Sequence, residues 1–252
     1  MAVKPYTPVQ LYCFPYAGAS AGAVYARWRR LLPDWLELHP VELPGRGRRM
    51  TETLLESMPE LVNQLRQELA PRLRAPYIFF GHSMGALLAF ELARALSQSG
   101  MPQPELLFAS GTDAPSRRDE TRFAKLQTDR ELMDQLRELN GTPPEVLENA
   151  EILALMLPVL RADFRICGSY RHRPGRLLTC PIHVFGGSED ATTAETLSAW
   201  GLETSGQFGL DMLEGDHFFI NTEQARLLEL VVKRAGERLA APAVASGEFA
   251  CG

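Results

Sequence analysis

The sequence has no long hydrophobic run and no excess of positive charge. No stretch of about 18 consecutive apolar residues, the minimum for a membrane-spanning helix, occurs in the 252-residue chain. The net charge is −5, which argues against a nucleic-acid-binding protein. The first eight residues contain no apolar signal segment. We therefore expect a cytoplasmic protein with neither membrane nor nucleic acid as a partner.

Cysteine is scarce and scattered. The four cysteines, at positions 13, 167, 180 and 251, form no C-x-x-C pair and have no histidine at metal-ligand spacing. This pattern does not suggest a zinc site and is typical of free thiols in a reducing compartment. We expect no metal and no cofactor.

Short apolar runs alternate with helical segments along most of the chain. This alternation predicts an α/β fold, a mostly parallel sheet flanked by helices. We expect one domain over residues 1–240 and a disordered tail over 241–252. The predicted strands are residues 11–14, 35–42, 77–80, 105–109, 181–185 and 209–213, and the predicted helices include 22–32, 86–97 and one that starts at Pro59.

The alternation stops between residues 113 and 180. The segment contains helical periodicity, including one face formed by Leu132, Met133, Leu136 and Leu139, but no convincing strand. A second helical stretch, rich in Leu and Met, is interrupted by Pro158. In an α/β enzyme a long insert of this kind can form a mobile lid over the carboxyl ends of the strands. A purely structural helical insert is the alternative.

A Gly-x-Ser-x-Gly motif at residues 81–85 connects a predicted strand to a predicted helix. This context is that of a nucleophile elbow, in which Ser83 occupies a sharp and strained turn. The small flanking residues let strand and helix approach closely. The start of the helix directs free N–H groups towards the position of an oxyanion. An ordinary turn between a strand and a helix is the alternative.

Ser83, Asp190 and His217 follow three predicted strands in the chain order of α/β-hydrolases. We predict that they form a catalytic triad. His217 would take the proton of the Ser83 hydroxyl, and Asp190 would orient the imidazole. Asp113, after an earlier strand, is the alternative acid. His82 is too close to the nucleophile in sequence to serve as the base.

Two backbone N–H groups are expected to form the oxyanion hole. Met84 follows the nucleophile, and Ala17 lies in the loop after the first strand. Tyr16 is the alternative to Ala17, one residue earlier.

Several motifs together resemble those of the type II (external, editing) thioesterases of nonribosomal peptide and polyketide synthases. They occupy residues 14–20, 43–48, 81–86, 109–111, 157–164 and 215–219. Tyr16 and Ala19 depart from the residues common in that family. The resemblance implies an α/β-hydrolase fold and hydrolysis of acyl or aminoacyl thioesters on the phosphopantetheine arm of carrier domains. Misprimed or stalled groups would be removed in this way.

The resemblance also implies a partner, an acyl- or peptidyl-carrier domain, with phosphopantetheine as part of the substrate. We expect the enzyme to be a monomer. Two clusters of arginines are candidates for carrier docking, with an ordinary solvated surface as the alternative; they are Arg27, Arg29 and Arg30, and Arg46, Arg48 and Arg49. A general carboxylesterase or lipase and a non-catalytic binding protein of the same fold are the alternative functions.

Overall fold

The centre of the protein is a parallel β-sheet. The computed structural model describes residues 8–119, 121, 123, 128–139 and 144–240. Within these residues the strands pair in the order β2-β1-β3-β4-β5-β6, and every pairing is parallel. The α/β class and the mostly parallel sheet are therefore confirmed. The strands are β1 (Val9–Phe14), β2 (Leu36–Pro40), β3 (Tyr77–His82), β4 (Leu106–Ser110), β5 (Ile182–Gly187) and β6 (Phe208–Leu213).

Helices follow most of the strands and cover both faces of the sheet. The N-terminus of α2 is capped by Ser57, whose hydroxyl accepts a hydrogen bond from the Glu60 amide, and Pro59 lies in its first turn. The helices are α1 (Ala21–Val24), α2 (Met58–Leu69), α3 (Met84–Gln98), α4 (Asp129–Leu139), α5 (Pro144–Leu147), α6 (Ala150–Ser169), α7 (Ala194–Ser198), α8 (Phe219–Thr222) and α9 (Gln224–Ala240).

Two apolar cores lie on opposite faces of the sheet. Successive strand residues point to opposite faces, so Phe79 of β3 belongs to the core under α2 and α3, whereas Phe80 belongs to the core under α9. Leu88 of α3 and Val231 of α9 are fully buried against these two faces. The central strands are buried on both sides, which explains their continuous apolar sequences.

The predicted helix at residues 22–32 is wrong in its extent. The structure has the short helix α1 and, after it, a separate 3-10 turn, Trp28–Arg30. Tyr25 and Trp28 are fully buried, and their rings meet edge to face with centroids 4.9 Å apart. A 3-10 turn aligns residues i and i+3. The buried aromatic pair therefore favours the tighter turn over a continuous α-helix.

The insert between β4 and β5 is helical where the structure describes it. The predicted interruption at Pro158 is wrong, because α6 continues through this residue as one helix. Proline removes one N–H donor from the helix, but Leu160 and Phe164 on the next turns pack against Leu132 and Leu136 of α4. This packing keeps the helix intact. Residues 120, 122, 124–127 and 140–143 of the insert, and the predicted tail 241–252, lie outside the described residues.

The turn between β3 and α3 places Ser83 in strained backbone. Ser83 has φ 54° and ψ −119°, and of the described residues other than glycine it alone has a positive φ. A Cβ on Gly81 would lie 2.1 Å from the carbonyl oxygen of Gly85, and a Cβ on Gly85 would lie 2.2 Å from that of Phe14. The two glycines are therefore required for the close passage of α3 over β3 and β1. Their spacing fits the nucleophile elbow predicted from the motif.

We expect Gly81→Ala to lower the free energy of unfolding by about 3 kcal/mol or more, because the added methyl group meets backbone that cannot move aside. Gly236→Ala is the matched control. It lies within α9, and a Cβ there meets nothing within 4 Å, so it should raise the free energy of unfolding by about 0.5–1 kcal/mol. Urea unfolding of both variants measures the difference, and equal stability would contradict this account of the turn.

Candidate active site

The structure brings Ser83, Asp190 and His217 together at the carboxyl edge of the sheet. Ser83 directly follows β3, Asp190 lies in the loop after β5, and His217 lies in the loop after β6. Nε2 of His217 is 3.1 Å from Oγ of Ser83, and Nδ1 of His217 is 2.8 Å from Oδ2 of Asp190. A continuous chain of hydrogen bonds thus connects the serine hydroxyl, the imidazole and the carboxylate.

The surroundings of Asp190 favour its charged form. Burial raises the pKa of its carboxyl group, but the hydrogen bond and charge of His217, together with Thr192, outweigh that effect and hold the pKa below its ordinary value. The Thr192 amide also donates to Oδ1 of Asp190 over 3.5 Å. A charged carboxylate on Nδ1 keeps the proton there and leaves Nε2 free to accept the serine proton.

Asp113, the alternative acid, makes no hydrogen bond or ion pair with His217 in the described structure. It follows β4 and lies in the wall of a cavity beside Ser83. The hydrogen bond to Nδ1 of His217 comes from Asp190 instead. The geometry therefore favours Asp190 over Asp113 as the acid.

His82 contacts the loop that contains His217, a contact that the sequence did not indicate. Its Nε2 is 2.9 Å from the carbonyl oxygen of His217, and its Nδ1 is 2.9 Å from Oγ of Ser110. Because a carbonyl only accepts, Nε2 carries the proton and Nδ1 accepts from the Ser110 hydroxyl. Burial, and secondarily the charge of His217, lowers the pKa of His82 to about 3, so the ring stays neutral while it holds the loop in place.

The predicted oxyanion donors, Ala17 and Met84, line the same cavity as Ser83. Met84 is the first residue of α3, where amide groups have no acceptor within the helix. Among the hydrogen bonds of the described residues, none is donated by the amide of Ala17 or of Met84. Both amides are therefore available for a negatively charged oxygen. Tyr16, the alternative donor, lines the cavity as well.

Known proteins resemble this chain over most of its length. A family model described as a thioesterase domain matches residues 9–235. The gramicidin S biosynthesis protein GrsT of Aneurinibacillus migulanus is 39% identical over 227 residues, which span 90% of this chain and 88% of the relative. The chain belongs to the thioesterase family.

Solved structures of type II thioesterases also match this chain. The type II thioesterase BorB from the borrelidin biosynthetic cluster matches with a TM-score of 0.82 and 39% identity over 94% of both chains. YbtT, a type II thioesterase from the yersiniabactin NRPS/PKS pathway solved as a serine-to-alanine mutant, matches with a TM-score of 0.81 and 30% identity over 94% of this chain and 96% of that one. The resemblance to type II thioesterases, and with it the α/β-hydrolase fold, is confirmed. This protein is a serine thioesterase.

The buried carboxylate of Asp163 connects the insert of the thioesterase to the loops after β1 and β2. Asp163 of α6 is fully buried and accepts hydrogen bonds from both terminal nitrogens of Arg46, with Nη2 of Arg46 2.8 Å from Oδ1 of Asp163. Oδ2 of Asp163 also accepts a hydrogen bond from the Gly18 amide over 2.7 Å. Gly18 follows Ala17, so the carboxylate holds the loop that carries a predicted oxyanion donor. Asp163 was not predicted as a functional residue from the sequence, although it lies within one of the motifs.

Two of the six arginines expected to dock a carrier domain are occupied by internal contacts. Arg46 is buried in the ion pair with Asp163. Arg49 donates to the carboxylates of Glu52 and Glu68. The docking prediction is therefore wrong for Arg46, and Arg49 is held by its acidic neighbours. The remaining four are exposed, and they are Arg27, Arg29, Arg30 and Arg48.

A narrow cavity, here called the inner cavity, lies beside Ser83 and has a volume of about 50 Å³. It adjoins a wider groove of about 530 Å³, here called the outer groove, with which it shares Tyr16, Ala17, Leu136 and Phe218. The insert contributes Leu136 of α4 and Phe164 of α6 to the inner cavity. Apolar residues of the insert therefore face the site, as expected, whereas the mobility of the insert stays a prediction.

The described residues contain neither a cluster suited to a metal ion nor a helix suited to a membrane. They contain no cluster of three or more His, Cys, Asp or Glu side chains arranged to hold a metal ion. None of the helices described is both long and apolar enough to cross a membrane. Cys13, Cys167 and Cys180 are free thiols, as the sequence predicts, and all are buried.

We expect Arg46→Met to destabilise the thioesterase by about 3–5 kcal/mol, because it leaves the buried carboxylate of Asp163 without its charged partner. The free energy of unfolding in urea measures the loss. Arg48→Met is the matched control: it is exposed, two residues away, and should change the stability by less than about 0.5 kcal/mol. If the two variants are equally stable, the ion pair does not anchor the insert.

Proposed function

We propose that this thioesterase hydrolyses acyl and aminoacyl thioesters on the phosphopantetheine arm of carrier domains and so clears misprimed or stalled synthases. The observation that carries the proposal is the hydrogen-bonded chain of Ser83, His217 and Asp190. The origin of the relatives supports the substrate class, since BorB and YbtT come from biosynthetic clusters or pathways of this kind. In the reaction Ser83 is the nucleophile, His217 the general base and acid, and Asp190 the residue that orients the imidazole.

The hydrolysis proceeds in two halves through an acyl-enzyme. His217 accepts the proton of the Ser83 hydroxyl as Oγ attacks the thioester carbonyl carbon. The negative charge that develops on the carbonyl oxygen is stabilised by the amides of Ala17 and Met84. The intermediate collapses, the carbon–sulfur bond breaks, and the sulfur leaves as a thiol with the proton from His217. A water molecule then attacks the acyl-serine by the same sequence of steps and releases a carboxylic acid.

The shape and charge of the surface support a carrier domain as the partner. The outer groove runs from the predicted oxyanion loop past Arg27 and offers a path for a long flexible arm. Arg27 in the groove wall is exposed, as are Arg29 and Arg48 outside it, and carrier domains are acidic in the family that the motifs resemble. We propose that the enzyme acts on them as a monomer and without a cofactor, in the cytoplasm.

Replacing Ser83 or Asp190 tests the chemistry. Ser83→Ala should lower kcat on an acyl-pantetheine thioester about 10⁴- to 10⁶-fold, and Asp190→Asn about 10⁴-fold, with folding unchanged. The comparison substrate is the matched oxygen ester. A general carboxylesterase would hydrolyse the oxygen ester with equal or higher kcat/KM, and Ser83→Ala with more than about a tenth of normal turnover would refute the assignment of the nucleophile.

A charge reversal at Arg29 and Arg48 tests carrier docking. The double variant Arg29→Glu/Arg48→Glu should raise KM for an acyl-carrier domain, and added salt should do the same, because exposed charges attract the acidic partner only when unscreened. KM for a small acyl-pantetheine thioester should hardly change. The control, Arg176→Glu/Arg226→Glu, makes the same charge change at exposed positions elsewhere. Equal effects of both double variants would exclude Arg29 and Arg48 from the docking surface.

A further inference from the structure

Asp113 occupies a fixed position in the wall of the inner cavity. The residue lies just beyond β4, the strand that pairs with the strand of the nucleophile. The amide of Ser83 donates to the carbonyl oxygen of Ser110 over 2.7 Å, which ties the two strand ends together. The backbone next to Asp113 is held as well, because Nε1 of Trp200 donates to the carbonyl oxygen of Thr112 over 2.8 Å. These hydrogen bonds hold the backbone on which the Asp113 carboxylate lies beside Ser83.

The carboxylate of Asp113 lacks a hydrogen-bond partner for one of its oxygens. Oδ1 is buried, and no donor among the described residues is within hydrogen-bond distance of it. The residue as a whole is half-buried, so the rest of the carboxylate can be reached from the cavity. A buried acceptor without a donor costs about 1–3 kcal/mol, and more when it is charged. The protein alone therefore leaves this group unsatisfied.

Arg118, a cationic neighbour in the same cavity, does not neutralise Asp113. Nη1 of Arg118 donates to the carbonyl oxygen of Cys167 over 2.7 Å. Its guanidinium carbon lies 5.3 Å from the ring centroid of Phe123 and 5.8 Å from that of Tyr170. No ion pair joins it to Asp113 in the described structure. The remaining charged residue of the cavity wall, Asp119, is also acidic.

His217 does not satisfy Asp113 either. Its Nδ1 is bonded to Asp190 and its Nε2 to Ser83, so neither nitrogen of the imidazole is left for a second carboxylate. Asp113 is therefore an anionic group in a mostly apolar cavity that takes no part in the hydrogen-bonded chain of the site. A cationic donor carried by the ligand itself would pair with the accessible oxygen of this carboxylate, Oδ2, in a charge-assisted hydrogen bond.

We propose that Asp113 binds the ammonium group of an amino-bearing acyl chain and so makes this thioesterase selective for aminoacyl over simple acyl thioesters. The inference rests on the proposed function, because it assumes that the acyl group of a thioester enters the inner cavity. The small volume of the cavity suits a compact ammonium group close to the carbonyl, as in an α-aminoacyl thioester. Asp113 is a specificity residue in this scheme and moves no proton.

Two substrates that differ by one amino group test the proposal. The kcat/KM values for alanyl-pantetheine and propionyl-pantetheine thioesters are compared at about pH 6, where an α-amino group is protonated. In Asp113→Asn, the ratio of alanyl to propionyl values should fall about tenfold or more from that of the unmodified enzyme, the factor that corresponds to about 1.4 kcal/mol. Asp119→Asn is the matched control, since this exposed carboxylate already accepts hydrogen bonds from Thr121, and its ratio should not change.

A binding measurement separates failure of this inference from failure of the proposed function. Ser83→Ala should bind the non-hydrolysable amide analogue of alanyl-pantetheine more tightly than that of propionyl-pantetheine, and Ser83→Ala/Asp113→Asn should lose this preference in calorimetry. An unchanged ratio in Asp113→Asn, or an equal fall in Asp119→Asn, would overturn the role of Asp113 and leave the thioesterase function intact. If the unmodified enzyme hydrolyses neither thioester, the proposed function fails, and the calorimetry alone decides whether Asp113 recognises the ammonium group.

Discussion

The carboxylate of Asp163 joins three segments of the chain. It lies on α6 of the insert, pairs with Arg46 of the loop after β2, and accepts from the Gly18 amide of the loop after β1. The side chain is fully buried, so these donors supply the stabilisation that water would otherwise give. An ideal Cβ on Gly18 would lie 2.4 Å from Cδ2 of Leu160 on the same helix. The position of the predicted oxyanion donor Ala17 therefore depends on a helix of the insert as much as on the sheet.

The positions of Ser83 and His217 depend on the edge of the sheet and on the strained backbone of Ser83. The positive φ of Ser83 exposes its hydroxyl at the end of β3, and the approach of α3 that this requires is possible only with glycine at positions 81 and 85. The His82 ring then ties β3 to the loop of His217 through the backbone carbonyl of that residue. Gly111 leaves room for the ring, since a Cβ there would lie 2.6 Å from its Cε1. His82, the last residue of β3, thus positions the base His217 next to Ser83, the residue that follows it.

Local patterns in the sequence predicted the sheet, the turn at Ser83 and the convergence of Ser83, Asp190 and His217, because each depends on residues close in sequence and on the rule that parallel strands end at one edge. The contacts of Asp163 and His82 could not be predicted in this way. Asp163 and Arg46 are 117 residues apart, and nothing in an isolated arginine shows whether its partner is water or a buried carboxylate. The basic loop consequently resembled a docking surface. The predicted helix at 22–32 was wrong for a related reason, because the burial of Tyr25 and Trp28 overrode the local helical propensity.

The anchoring of α6 also determines which part of the insert is able to move. Beyond Pro158 the helix is held by the Asp163 ion pair and by the bond from Arg118 to the carbonyl oxygen of Cys167. Before Pro158 it is far less buried, and Leu155 is 67% exposed. Proline cannot donate to the preceding turn, so the two halves of α6 are joined where the helix is weakest. If the insert opens as predicted, we expect α5 and the first half of α6 to move, whereas the half that contacts the Gly18 loop stays with the sheet unless the buried ion pair breaks, and α4 stays packed on that half through Leu132 and Leu136.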